Sequence, residues 1–135
     1  MLNGLKAIHN DARVAGPKAG FNSKRTTQVR EDDRWTLTEN AHPVVRIHPE
    51  TKRKSLFINS TYVQNIKGMT VEESAPILNY LYEHATKPEF SCRFRWCTGS
   101  VAFWDNRCVQ HLAINDSNNA TRRMQRTQLL GGDVF

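Results

Sequence analysis

The stretch "WDNRCVQHLAINDSNNATRRMQR" (residues 104–126) decides how the rest of the chain is read. Its polar run "NDSNNA" (115–120) separates a segment ending near His111 from a basic one starting at Thr121. By periodicity this is a strand, a loop and a final strand, "TRRMQRTQLL" (121–130), stopped by "GGD". On that last strand Arg122, Met124 and Arg126 share one face, and Arg123, Gln125 and Thr127 point the other way. If the first face is interior, each guanidinium needs an anion, because a buried charge must be paired. A planar guanidinium holds a carboxylate or sulfonate with two hydrogen bonds. If the strand lies at an edge, both Arg simply stand in water. Spacing leaves both readings open. A lone His is more often structural than functional, but His111 sits between a strand and a loop rich in Asn and Asp, the kind of rim where ligands are held on a rigid scaffold.

Working back from Trp104, "EFSCRFRW" (89–96) alternates, with Phe90, Cys92, Phe94 and Trp96 on one face. That pattern predicts a strand, turned by "CTGS" and returned by "VAFWD" (101–105). "GMTVEESAPILNYLYEHATKP" predicts a helix with Thr70 and Glu73 as a capping box, an apolar stripe of Ile77, Leu78, Leu81 and Ala85, a kink at Pro76, and a stop at Pro88. "HPVVRIHP" (42–49) and "SLFIN" (55–59) predict a hairpin around "ETKRK". "LNGLKAIH" (2–9) reads as the end of a helix, because Leu2, Leu5 and Ile8 recur every three residues. Residues 10–40 read as a long polar loop, and a loop of that length suggests a functional lid.

A chain of 135 residues makes one domain at most, and 39% hydrophobic with 24% charged residues makes it globular. The net charge of +6 favours anionic partners. Its basic residues are scattered from Lys6 to Arg126, with only "KRK" (52–54) as a run, which argues against a nucleic-acid interface. No run approaches the roughly 20 apolar residues of a membrane helix. No apolar core of a signal peptide is visible, and Cys92, Cys97 and Cys108 read as reduced thiols, so a cytoplasmic location is expected. Cys108 is expected to be buried, and His42 and His48, beside prolines, to lie at the surface or in turns. A zinc site from Cys92, Cys97 and His111 is disfavoured because no Cys-x-x-Cys pair exists.

Taken in order, "HPVVRIHPETKRKSLFIN", "GMTVEES", "KPEFSCRFRW", "GSVAFWDNRCVQHLAIND" and "RRMQRT" followed by "GD" resemble the C-terminal half of the taurine catabolism dioxygenase (TauD/TfdA) family. The resemblance runs over roughly residues 42–133, more weakly over the first predicted helix. It implies a mainly β fold with helical insertions, a double-stranded β-helix (jelly roll), incomplete because the N-terminal half is missing. In that reading residues 1–41 are a helix end and loop, and residues 42–135 are jelly-roll strands and one helix. It implies Fe(II) as metal, with 2-oxoglutarate and O₂ as co-substrates.

By resemblance, His111 is the distal His of the iron's triad of two His and one carboxylate, a triad that leaves positions open for 2-oxoglutarate and O₂. Arg122 is the clamp on the far carboxylate of 2-oxoglutarate, and Arg126 the contact to the substrate's anionic group. Trp104 lies near the iron, and Tyr62 lines the substrate pocket. The implied reaction converts 2-oxoglutarate to succinate and CO₂ and hydroxylates a small sulfonate, sulfate ester or carboxylate beside its heteroatom.

The pattern is broken in one respect. The family's other two iron ligands come from a His-x-Asp motif in its N-terminal half. His9 and Asp11 have that spacing, but they are not read as ligands, because they sit at the end of the first predicted helix. The chain is therefore expected to be inactive alone, a fragment or half of a split enzyme. As half of a split enzyme it would be completed by an N-terminal half chain; the expected partners are that chain or a homo-oligomer, with no nucleic-acid or membrane partner. Ser117 and Asn65 depart from residues common in the family and leave the substrate open. The competing reading is a non-catalytic jelly-roll remnant that binds a partner or an anion.

Overall fold

Val44 is where the chain changes partners. It lies between β2 (Glu39–Pro43) and β3 (Val45–Ile47), which belong to different sheets. Its N–H donates to the carbonyl of Leu5 (2.9 Å), and its carbonyl accepts from the N–H of Phe57 (2.8 Å). The side chain is fully buried. The sequence pattern showed one strand over 42–49; the structure makes two, because pairing moves from one neighbour to another at this residue. The computed structural model describes residues 1–14, 37–114 and 123–129. Most of the expected 10–40 loop therefore lies outside the described residues.

The first sheet has three antiparallel strands in the order β2-β1-β5, with β1 at Lys6–Asn10 and β5 at Val63–Ile66. The reading of residues 2–9 as a helix end is corrected here: β1 is the central strand. Its N–H and C=O groups are paired on both sides, a gain the local sequence does not display and one that outweighs a three-residue apolar spacing. The objection to His9 and Asp11 as ligands that rested on a helix is removed with it. Gly4 makes the turn before β1 at φ 91, where a side chain would be strained.

Pairing of β1 with β5 matches Ala7 to Ile66, Ile8 to Asn65 and His9 to Val63, so Gln64 is an extra residue on β5. This β-bulge lets Val63 and Ile66, three apart, both face the core with Ala7 and His9.

The second sheet is the expected hairpin, β3 with β4 (Lys54–Leu56). The helix α1 (Val71–Ala85) is capped as read. Thr70 Oγ1 accepts from Glu73 N–H (3.2 Å), and Glu73 accepts from Thr70 N–H (2.8 Å). The helix runs through Pro76, which is exposed. Its buried face is Ser74, Leu78 and Leu81. Ser74 ties it to the sheet: its Oγ accepts from Ile66 N–H (2.9 Å) and donates to the carbonyl of Thr70 (2.7 Å). Ala7, Val44, Ile58, Val63, Ile66, Leu78 and Leu81 form the core.

Beyond α1 the expected strands do not form. Pro88–Phe90 is a short 3-10 turn, and residues 91–105 and 123–129 lie in no strand. The apolar face read at Phe90, Phe94 and Trp96 is exposed, as are Cys92, Cys97 and Cys108, so the thiol expected to be buried is not. A strand needs a neighbour to pair with, and none of the described strands pairs with these segments.

Candidate active site

Residues 104–111 form a loop pinned at two points, one on the β3–β4 hairpin and one just beyond it at Ile58. At the first, the Asp105 carboxylate meets Arg107: Nε lies 2.9 Å from Oδ1 and Nη2 lies 2.6 Å from Oδ2, and the Arg107 N–H also donates to Oδ1 (2.8 Å). The remaining reach of Arg107 goes to Glu50 in the hairpin turn, with Nη1 3.0 Å from Oε1. His48, at the end of β3, is 3.0 Å from Asp105 Oδ2 through Nε2. At the second point Gln110 donates from Nε2 to the carbonyl of Ile58 in the core.

Of the two places expected for His48, surface or turn, the structure gives the turn: it follows β3 and is only 8% exposed. The hairpin needs it there. Its Nδ1 accepts from the N–H groups of Glu50 (3.3 Å) and Thr51 (3.2 Å), so the neutral ring carries its hydrogen on Nε2 and donates it to Asp105. Arg107 first, and His48 after it, hold the Asp105 carboxyl well below the usual carboxylate range; Asp105 and then Glu50 push the Arg107 guanidinium up.

The loop's two ends carry the residues the sequence singled out. Trp104 precedes Asp105 and His111 follows Gln110, and their rings meet with centroids 4.7 Å apart at 51°. Trp104 also donates from Nε1 to Asn106 Oδ1 (3.0 Å). His111 is exposed. Tyr62 is 41% exposed in the turn entering β5, and Arg126 is exposed; among the described residues neither is joined to the Trp104–His111 pair by a hydrogen bond or ring contact. Arg122 lies outside the described residues, as does Ser117. Asn65 has a structural task, donating to the carbonyls of Met69 (2.8 Å) and Ile66 (3.0 Å) at the turn into α1.

His48, Asp105 and Cys108 bring ligand atoms within 4.8 Å of one another. Their chemistry suits an ion-paired turn better than a metal centre. Both Asp105 oxygens are occupied by Arg107, whose positive charge would oppose a cation, and the His48 Nε2 hydrogen already points at the carboxylate. His111 belongs to no group of three possible ligands among the described residues. Among the described residues, no two further ligand side chains gather beside the His111 imidazole.

A His pair lies in the first sheet. His9 packs edge-on to His42 (5.0 Å) and stacked on Phe57 (5.5 Å), with the Arg46 guanidinium 5.2 Å from the Phe57 ring centre. His9 Nε2 is buried without a hydrogen-bond partner. Burial, and then the His42 charge, bring the His9 pKa down to about 4, and burial and Arg46 lower that of His42. His42, expected at the surface or in a turn, is instead half-buried on strand β2 in this ring cluster. The sequence reading missed the Asp105–Arg107 clamp; its available signal was the acid-to-base spacing in "DNR", which suits an Asp side chain that accepts from the backbone two residues on.

Residues 1–128 match the family described as "Taurine catabolism dioxygenase TauD, TfdA family". The chain belongs to this family. The match extends through the first strand, well before the motifs that carry the resemblance. Among TauD/TfdA-type relatives, the chain is 39% identical over 123 residues to alpha-ketoglutarate-dependent dioxygenase cnsM of Penicillium expansum, covering 90% of this chain and 33% of that protein. It is 34% identical over 128 residues to the alpha-ketoglutarate-dependent sulfate ester dioxygenase of Pseudomonas putida, covering 94% of this chain and 42% of that protein. A crystal structure of a taurine dioxygenase from Burkholderia xenovorans superposes with TM-score 0.58 and 37% identity, over 79% of this chain and 30% of that one. The chain thus spans between about a third and two fifths of the length of these curated relatives. Mainly strand with one α-helix among its described residues, it has no described helix long and apolar enough to cross a membrane.

Proposed function

We propose that this chain is the His111-bearing portion of an Fe(II)- and 2-oxoglutarate-dependent dioxygenase domain of jelly-roll type. The family match over residues 1–128 carries the proposal. The clamped loop that sets Trp104 against the His111 imidazole supports it. His111 is one iron ligand of three; bound iron would supply the activation of O₂ for which 2-oxoglutarate is the co-substrate. Arg122 holds the far carboxylate of 2-oxoglutarate, and Arg126 holds the anionic group of a small sulfonate, sulfate ester or carboxylate. Trp104 and Tyr62 are apolar walls for that substrate. The products are the hydroxylated substrate, succinate and CO₂, and the setting is cytoplasmic.

Polypeptide beyond these residues, continuous or separate, brings the other ligands, and the chain alone does not turn over. It also covers the apolar side chains left exposed after α1, among them Phe94, Val101, Phe103 and Leu112. Exposure of that surface equally favours a second reading, a non-catalytic domain remnant that binds a partner or an anion.

The test is anaerobic Fe(II) binding with 2-oxoglutarate, following the weak visible charge-transfer band. The chain is run alone and co-expressed with the remainder of a relative's domain. A band in the mixture that His111→Ala abolishes is the expected result. A band from the chain alone would return His9 and Asp11 to the ligand set. No band in either sample would favour the remnant.

A further inference from the structure

We propose that the Asp105–Arg107 pair, with His48 and Glu50, is a positioning clamp that sets the His111 imidazole against Trp104. The inference rests on the reading of His111 as a ligand for its functional meaning, but its geometry stands without iron.

His111 is exposed, and the described residues around it, 106–114, lie in no strand. Nothing in its own backbone pairing fixes where the ring points. Yet its ring meets that of Trp104, seven positions earlier, at 4.7 Å. The loop between them must close for this to happen; Trp104 Nε1 donates to Asn106 Oδ1 at its start, Gln110 Nε2 reaches the Ile58 carbonyl near its end, and the contacts between centre on Asp105 and Arg107. The Asp105 carbonyl accepts from the N–H groups of Cys108 (3.2 Å) and Val109 (2.9 Å), which curls the loop. Its carboxylate takes three donors: the Arg107 backbone, the Arg107 guanidinium and the His48 ring. Arg107 and His48 each have a second attachment on the hairpin, to Glu50 and to the Glu50 and Thr51 N–H groups. The hairpin is anchored in turn by Phe57 N–H on Val44, which is in the core.

A bidentate guanidinium–carboxylate contact fixes orientation as well as distance. Contacts of this kind outside the ligand set orient a metal-binding imidazole without touching the metal. Asp105 is therefore a positioning residue, and its carboxylate, occupied by Arg107 and His48, is not itself offered to a metal.

The test uses the full chain and two readouts: magnetisation transfer between the Trp104 indole and His111 imidazole protons, and amide hydrogen exchange at Cys108 and Val109, with α1 amides as internal reference. In Asp105→Asn and His48→Ala the ring-to-ring signal should vanish and the two amides should exchange at least tenfold faster, with α1 unchanged. His48→Gln, which restores an N–H donor toward Asp105, should recover the signal in part. If Asp105→Asn also loosens α1, Arg107→Lys decides in its place, keeping the charge and losing the fork. An unaltered ring contact in both His48→Ala and the Asp105 or Arg107 variant would overturn the clamp. That result leaves the iron reading untouched, since the latter is decided separately by Fe(II) binding: it fails when the completed domain shows no band or when His111→Ala leaves the band unchanged.

Discussion

Residues 6–85 and residues 91–129 use similar amino acids to opposite effect. In the first region Val44, Ile58, Val63, Ile66, Leu78 and Leu81 are each no more than 5% exposed. In the second, among the described residues, Phe94, Trp96, Val101, Phe103, Leu112 and Leu129 are all at least 44% exposed. Hydrophobic content does not separate them; partners do. The first region contains both members of each ladder, and a capped helix to cover the sheet. The second holds apolar runs whose partners are not among the described elements. Its described residues are tied to the first region by polar contacts at two places, the His48–Asp105–Arg107–Glu50 clamp and the Gln110–Ile58 hydrogen bond.

That contrast can be broken by mutation. The largest effect is expected at Leu81→Ala, which should cost about 2–5 kcal/mol in urea unfolding of the chain. Phe103→Ala should stay within about 0.5 kcal/mol in the same assay. Equal losses at the two positions would mean that the second region has a core of its own. Next is Ser74→Ala, which strips the Ile66 N–H of its acceptor inside the core and should cost about 1–3 kcal/mol, read from the same unfolding curves.

A smaller effect should appear with acid. His9 has a folded pKa of about 4 against an ordinary 6.5, so the unfolded chain binds the extra proton first. Stability from the neutral His9 ring is fully present above pH 6.5 and is lost as pH falls toward 4, where the loss levels off. Because the ring is only partly buried, screening limits the loss to on the order of 1–2 kcal/mol. His9→Phe, which keeps the stacking on Phe57, should flatten that part of the pH profile. An unchanged slope would remove His9 as its cause. The smallest effect, about 1 kcal/mol, is expected for Thr70→Ala, through loss of the N-cap. Circular dichroism melting of α1 would show it, and no shift would mean that the sheet, not the cap, sets helix stability.

Legibility in the sequence followed the same division. The helix was readable with its cap because Thr70, Glu73 and the apolar stripe all act within a few turns of chain. The hairpin around Lys52 was readable for the same reason. The first strand was not. Leu2, Leu5 and Ile8 imitate a helix, and only pairing with residues 39–43 and 63–66 makes the segment a strand. The later strands were over-read, since alternation in "EFSCRFRW" describes a side-chain preference and cannot supply the neighbour that a strand needs. At the site, family resemblance drew attention to His111 and Trp104, and the structure brings their rings together. His48 and Glu50 were invisible there, because they lie more than 50 positions from Asp105 and Arg107 and only folding makes them adjacent.

The extra residue on β5 has a consequence for how this small sheet tolerates change in length. In a regular strand, in-facing and out-facing positions keep strict time, and positions three apart fall out of step. Gln64 absorbs one beat, so Val63 and Ile66 remain in phase. The strand can lose Gln64 and keep its rhythm, with three consecutive residues then facing Ala7, Ile8 and His9. The central strand has no such slack: removing one residue between Ala7 and His9 would turn one of them out of the core and put the whole of β1 out of time with both of its neighbours.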